Sequence, residues 1–205
     1  MRDTREKVLL VSLRLFAKEG YEATSVSRIA GELGLTKGAL YRHYPNKQAI
    51  FESILAKMEE LDAVRAEEFA LPEGTLEQME EKYRAASLAQ LIAYTKAQIR
   101  YWAQDDFAAP FRRMLTVEQY RSEEMAALYQ QYLAGGPVGY VADLLASMGV
   151  ADAKREAMRF CAPMTLALQM FDGAADVQAV LSEADACYDA QEKELMEKIN
   201  RREKT

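Results

Sequence analysis

The stretch Thr24-Ser25-Val26-Ser27-Arg28-Ile29-Ala30-Gly31-Glu32-Leu33-Gly34-Leu35-Thr36-Lys37-Gly38-Ala39-Leu40-Tyr41-Arg42-His43-Tyr44-Pro45-Asn46-Lys47 decides how this chain is read. Thr24 or Ser25 is a good N-cap, because a short side-chain oxygen accepts from amides that the first helical turn leaves unpaired. Val26, Ile29, Ala30 and Leu33 then follow at the spacing of one helical face over two turns. Gly34 suits the left-handed residue that ends a helix. Thr36 caps a second short helix that Pro45 closes, and Asn46 caps the next. Two short helices joined by a glycine-containing turn form a helix-turn-helix arrangement. In the second of them Leu40, with Ala39, should point inward, while Lys37, Tyr41 and Arg42 should point outward.

Upstream, Val8, Val11, Ser12, Leu15 and Phe16 predict a helix over residues 4–18, stopped by Gly20. Downstream, Ile50, Phe51, Ile54, Leu55, Met58 and Leu61 form the apolar face of a fourth helix. A third helix lying on this platform has the size to enter a major groove about 12 Å wide.

The charge is divided to match. The whole chain of 205 residues has a net charge of −6, yet residues 1–47 hold nine Lys/Arg against five Asp/Glu, a net of +4. The remainder is at −10. A basic head on an acidic body is the charge footprint of a nucleic-acid binder.

These residues, extended to Leu15-Phe16, Gly20-Tyr21 and Ile50-Phe51, resemble the DNA-binding region of the TetR family over about 50 positions. The resemblance implies that Lys37, Gly38, Ala39, Tyr41 and Arg42 face base edges, with Gly38 letting the backbone approach closely. It implies that Ser25, Arg28, Thr36, His43, Tyr44 and Lys47 touch phosphates. Leu10 departs from the family pattern, which usually has a polar residue there.

Beyond the head, every long segment predicts helix and nothing alternates like a strand. The fold class is therefore all-α: a three-helix helix-turn-helix head and a helical ligand-binding and dimerisation body. The divisions expected are a DNA-binding domain at 1–47, a connecting helix at 48–70, and an effector-binding and dimerisation domain at 71–205. The break Leu71-Pro72-Glu73-Gly74 and a capping box of Thr75 with Gln78 predict a long helix to Gln104. Further helices are expected near 107–119 and 122–133. Gly135-Gly136-Pro137 predicts a turn, followed by a helix to Met148. Two long helices follow, near 152–171 and 177–201. Arg201, Arg202 and Lys204 suit the negative end of the last one.

Those last helices carry stripes at a four-three rhythm, including Ala157, Cys161, Met164, Leu168 and Phe171 on one and Leu181, Ala184, Tyr188 and Leu195 on the other. Such seams serve within one chain or between two. The resemblance implies a homodimer, and places Cys161, Leu168, Leu181, Ala184, Tyr188 and Leu195 at its interface. It also implies an unidentified small-molecule effector. Tyr94, Gln98, Tyr101, Trp102, Phe111, Met114, Tyr120 and Met164 are candidates to line the pocket, though aromatic and methionine stripes also build ordinary cores. The acidic body disfavours an anionic effector, unless Arg100, Arg112 and Arg113 reverse that locally.

Other function classes lack their residues. One histidine, His43, and two cysteines without CxxC spacing supply no zinc site. Both thiols, Cys161 and Cys187, are expected to be buried or half-buried. No phosphate loop, nucleophile elbow or metal-binding Glu-x-x-His pair occurs, so no enzyme and no cofactor is expected. No apolar run reaches membrane-spanning length, and a cytoplasmic protein bound to a double-stranded DNA operator is expected.

Overall fold

A computed structural model describes residues 4–72 and 77–202. Among them are eleven helices: α1 (Thr4–Glu19), α2 (Val26–Glu32), α3 (Lys37–Tyr41), α4 (Lys47–Glu68), α5 (Glu80–Ala85), α6 (Leu88–Gln104), α7 (Ala108–Glu118), α8 (Glu123–Leu133), α9 (Gly135–Ser147), α10 (Ala153–Phe171) and α11 (Val177–Arg202). The fold is all-α, as expected. Thr75 and Lys204, and with them the proposed Thr75–Gln78 box, lie outside the described residues.

The helices fall into two compact units, one of residues up to 62 together with 104–129, the other of 63–103 and 130 onward. The first unit is larger than the head at 1–47, because α7 packs along α1. This contact explains why α1 buries Leu9 and Leu13 besides Val8, Ser12, Leu15 and Phe16. A single amphipathic stripe accounts for one covered face, whereas α1 is covered on two. Val8, Leu13, Phe16, Ile29, Leu40, Ile50, Phe51, Ile54, Met58, Phe111, Met114 and Leu115 are all sealed from solvent. Each such side chain contributes roughly 1.5–3 kcal/mol of apolar burial.

The second unit is built from α5, α6, α9, α10 and α11, with α10 between α9 and α11. The long helix expected from 75 to 104 is instead two, α5 and α6, broken at Ala86-Ser87. The break has its own chemistry. Ser87 Oγ accepts from the Gln90 amide at 3.2 Å while Gln90 Oε1 accepts from the Ser87 amide at 2.8 Å, which is a capping box that opens α6 inside the expected helix. Gly135-Gly136-Pro137 is likewise not a turn but the first turn of α9. Amides there have no intrahelical partner, so a proline is tolerated.

Pro163 lies inside α10 and withholds the amide that would bond the Arg159 carbonyl four residues back. Gln191 of α11 replaces it, donating from Nε2 to that carbonyl at 3.0 Å. One residue on, the Tyr188 hydroxyl donates to the Phe160 carbonyl at 2.9 Å, and the two rings meet edge to face at 5.1 Å. Burial raises the Tyr188 phenol far above its usual range, so it remains a donor. The proline weakness in α10 is thus repaired by two side chains of α11, which fixes the register of the seam.

That seam is largely closed within one chain. Leu168, Leu181, Ala184, Tyr188 and Leu195 are between 0 and 6% exposed within this single chain, and Cys161 is half-buried against the same core. Leu181, Ala184, Tyr188 and Leu195 belong to the core of their own unit and are covered without a second copy, whereas Cys161 keeps part of its surface. Cys187, expected to be buried or half-buried, is exposed, whereas burial pushes the Cys161 thiol up to about 11.

Candidate nucleic-acid interface

The head is held by caps and turns that its sequence spells out. Ser25 Oγ accepts from the Arg28 amide at 3.1 Å and Thr36 Oγ1 from the Ala39 amide at 3.1 Å. Asn46 Oδ1 accepts from the Ala49 amide at 2.7 Å. Between α2 and α3, Gly34 has φ +65°, and the Leu35 amide reaches the Ala30 carbonyl at 2.8 Å. This five-residue back-bond with a left-handed glycine is a Schellman ending.

The result is a short helix anchored from beneath by Leu40, which is wholly buried. Thr36, Lys37, Gly38, Tyr41 and Arg42 are exposed, and Ala39 and His43 are half-buried. Tyr41 keeps 42% of its surface in solvent, with Lys37 Nζ 5.6 Å from its ring centre. Gly38 is the informative position. A Cβ there would meet nothing within 4 Å, so no internal contact requires glycine. Glycine within a helix costs about 1 kcal/mol relative to alanine. The same open space surrounds Gly31 in α2 and Gly139 in α9, so glycine at 38 leaves the outer face of α3 bare rather than relieving a clash.

Three expected phosphate contacts are otherwise engaged. Arg28 pairs with Glu19 at 3.0 Å and with Glu32 at 2.6 Å, joining the end of α1 to α2. Lys47 donates to the carbonyls of Tyr21 at 2.7 Å and Glu22 at 3.3 Å, and its ammonium lies 4.2 Å from the Tyr21 ring centre. Tyr44 is 4% exposed, with its hydroxyl 3.4 Å from the Arg5 carbonyl. These side chains build the head. Ser25 keeps an exposed position beside its cap.

Tyr21, part of the resemblance but without an expected role, organises the turn from α1 to α2. Its ring lies between Phe16 at 5.0 Å and Phe51 at 5.1 Å. Its hydroxyl donates to Gln48 Oε1 at 2.9 Å, its carbonyl accepts from Lys47, and its amide donates to Glu118 Oε1 of α7 at 3.1 Å. Burial, with Glu22 next in effect, pushes the phenol up to about 12, so the hydroxyl stays a donor. Glu118 is 2% exposed and also pairs with Arg121 at 2.9 Å. Before it, Gly20 at φ +91° stands where a Cβ would come within 2.4 Å of Arg121 Nη1. A Gly20→Ala chain should lose about 1–2 kcal/mol of stability, from the left-handed backbone and the displaced arginine. A denaturant midpoint unchanged from the parent would show that the turn relaxes freely.

The expected pocket residues are dispersed. Phe111 and Met114 are sealed in the core of the first unit, and Tyr120 is 87% exposed. In the second unit, Met164 packs on the core, while Tyr94, Gln98, Tyr101 and Trp102 share α6. There Arg65 of α4, absent from the sequence reading, donates from Nε to Gln98 Oε1 at 3.0 Å and stacks 4.2 Å from the Tyr101 ring centre. Gln98 in turn donates to the Tyr94 hydroxyl. Arg100 is taken up by both oxygens of Asp185. Among the described residues no group of three or more His, Cys, Asp or Glu is placed to hold a metal, and no helix is long and apolar enough to cross a membrane.

Comparison with known proteins places the head. The family described as "Bacterial regulatory proteins, tetR family" matches residues 8–54. The uncharacterized HTH-type transcriptional regulator YerO of Bacillus subtilis is 43% identical over 53 residues, 26% of this chain and 18% of that protein. The HTH-type transcriptional regulator AcrR of Shigella flexneri is 42% identical over 53 residues, 26% of this chain and 25% of its own. These matches therefore span a quarter or less of each relative. Solved structures extend the likeness of fold to the body. A transcriptional regulator from Rhodococcus superposes with a TM-score of 0.63 at 17% identity, covering 95% of this chain and 97% of its own. Salmonella enterica GusR does so with a TM-score of 0.59 at 20% identity, covering 96% and 95%.

Proposed function

We propose that this chain, which belongs to the TetR family through its head, is a transcriptional regulator that binds a palindromic operator as a homodimer in the cytoplasm, and represses until a small-molecule effector releases it. The observation that carries the reading is the outer face of α3. Lys37, Gly38, Tyr41 and Arg42 stand in solvent on a helix pinned by Leu40, with an internally unexplained glycine among them. Lys37, Arg42 and Tyr41 would read base edges, with Ala39 and Gly38 admitting the groove floor. Ser25, Thr36 and His43 would set position on phosphates. Arg28 and Lys47 act in this reading by holding the head in shape.

The functional division proposed is DNA binding by 1–47, connection by 48–70 and effector and dimer functions by 71–205. The dimer surface is assigned to the outer side of α10 rather than to its inner seam. Met158, Leu166 and Met170 are 62, 58 and 51% exposed, and with Ala162 they recur every fourth residue. A contiguous apolar stripe of this kind marks an association surface. On α11 the exposed Ala179, Ser182, Ala186 and Ala190 permit close helix approach. A two-fold dimer would set its α3 helices about one turn of DNA, roughly 34 Å, apart. An effector would act only through its difference in affinity between the operator-competent and released states.

The test is selection from random duplexes at two salt concentrations. An enriched palindrome, bound with an affinity that falls steeply with salt, supports the reading. No enrichment from folded protein would remove it. Gly38→Ala separates a DNA role from a structural one. It should stabilise the protein by about 0.5–1 kcal/mol, since alanine is the better helix former. It should also weaken operator binding about tenfold or more. Equal operator affinity would mean that nothing approaches α3 at this position.

A further inference from the structure

We propose that the effector is a small monocarboxylate with an aromatic or other apolar body, and that Arg65 receives its carboxylate; this rests on the effector-responsive reading above. Among the described residues Arg65 has no carboxylate within ion-pair distance, unlike Arg14, Arg28, Arg84, Arg100, Arg121, Arg155 and Arg159. Arg65 is nevertheless only partly exposed. A guanidinium withdrawn from water without a counter-charge is unfavourable, and its planar fork of donors matches a carboxylate.

The surroundings hold that fork in place. Gln98 is 94% buried and accepts from Nε at 3.0 Å, which leaves the two terminal nitrogens to donate elsewhere. The Tyr101 ring, 4.2 Å from the guanidinium carbon, stacks on it. Tyr94 fixes Gln98 through its hydroxyl and meets Phe69 edge to face at 5.5 Å. Trp102 lies against Tyr101 at 5.6 Å between ring centres. An oriented cation stacked on Tyr101, whose holders Gln98 and Tyr101 are themselves backed by Tyr94 and Trp102, fits a ligand with one anionic end and an apolar remainder. Arg65 stands on α4, the helix that begins at the head, so an occupant would have a direct handle on that helix.

The experiment titrates the full-length protein with benzoate, phenylacetate, 3-phenylpropionate and hexanoate, each beside its neutral primary amide. Calorimetry reads binding, and a duplex carrying the selected operator reads DNA affinity. At least one carboxylate should bind, its amide at least about tenfold more weakly. Arg65→Gln should lose the carboxylate by about tenfold or more while binding operator as the parent does. Arg65→Lys, which keeps the charge but not the fork, should fall between them. The proposal is overturned if no carboxylate binds, if the amides bind equally, or if Arg65→Gln binds carboxylates as the parent does. Operator binding by the ligand-free protein is read separately. Its presence without carboxylate binding rejects this site alone, and its absence rejects the regulator reading.

Discussion

A Leu166→Glu chain is expected to be a folded monomer whose operator affinity falls about 100-fold or more. Leu166 is 58% exposed and lies between Met158 and Met170 on the outer side of α10, so a glutamate there disturbs nothing inside the chain. In a two-fold dimer the same residue occurs on both sides of the interface. Each copy then loses roughly 1.5–3 kcal/mol of apolar burial and brings a carboxylate into a drying contact. Separation of the protomers also removes the benefit of binding two half-sites together, where the second is bound at a high effective concentration. Light scattering after size exclusion reads the mass, circular dichroism the fold and an operator titration the affinity. Leu181→Glu is the control. At 3% exposure it places a charge in the chain's own core and should abolish folding. A Leu166→Glu protein that remains dimeric at micromolar concentration would put the dimer surface elsewhere.

The second large effect is expected at Glu118, through which α7 holds the turn that sets α2 on α1. Glu118→Ala removes the acceptor of the Tyr21 amide and the partner of Arg121. An unsatisfied buried amide costs about 1–3 kcal/mol, and losing the ion pair between buried Glu118 and half-exposed Arg121 adds to it. A loss of about 3 kcal/mol should lower the melting temperature by roughly 6–12 °C in a protein of this size. Glu118→Gln keeps an oxygen for the Tyr21 amide and loses only the charge, so it should fall by less than half as much. The order parent, glutamine, alanine in a thermal melt is the signature of hydrogen bonding at this turn. If the alanine variant melts within about 2 °C of the parent, Tyr21 is held by its ring contacts, Gln48 and Lys47 without Glu118.

The head was legible in the sequence because each of its features is local. Ser25, Thr36 and Asn46 cap helices through amides three residues away, and Gly20 and Gly34 take left-handed backbone that other residues resist. The inward Leu40 and the outward Lys37, Tyr41 and Arg42 follow from helical period alone. The break before α6 was missed because Ser87 and Gln90 form a capping box inside a stretch that otherwise reads as one continuous helix.

Other features depended on partners distant in the chain. The stripes of α10 and α11 were correctly apolar, but apolar periodicity does not say which surface covers it. Gln191 and Tyr188 meeting the carbonyls on either side of the Pro163 defect tie that seam inside one chain. Leu9 and Leu13 are buried because α7, about a hundred residues later, lies on α1. Likewise Arg28, Lys47 and Tyr44 looked free for phosphates until Glu19, Tyr21 and Arg5 were brought beside them. The sequence by itself therefore determined the caps, the turns and the composition of each helical face, since these arise within a few residues. Only the tertiary structure decided which faces meet and which charges are already paired, because those depend on contacts between segments that chain spacing does not relate.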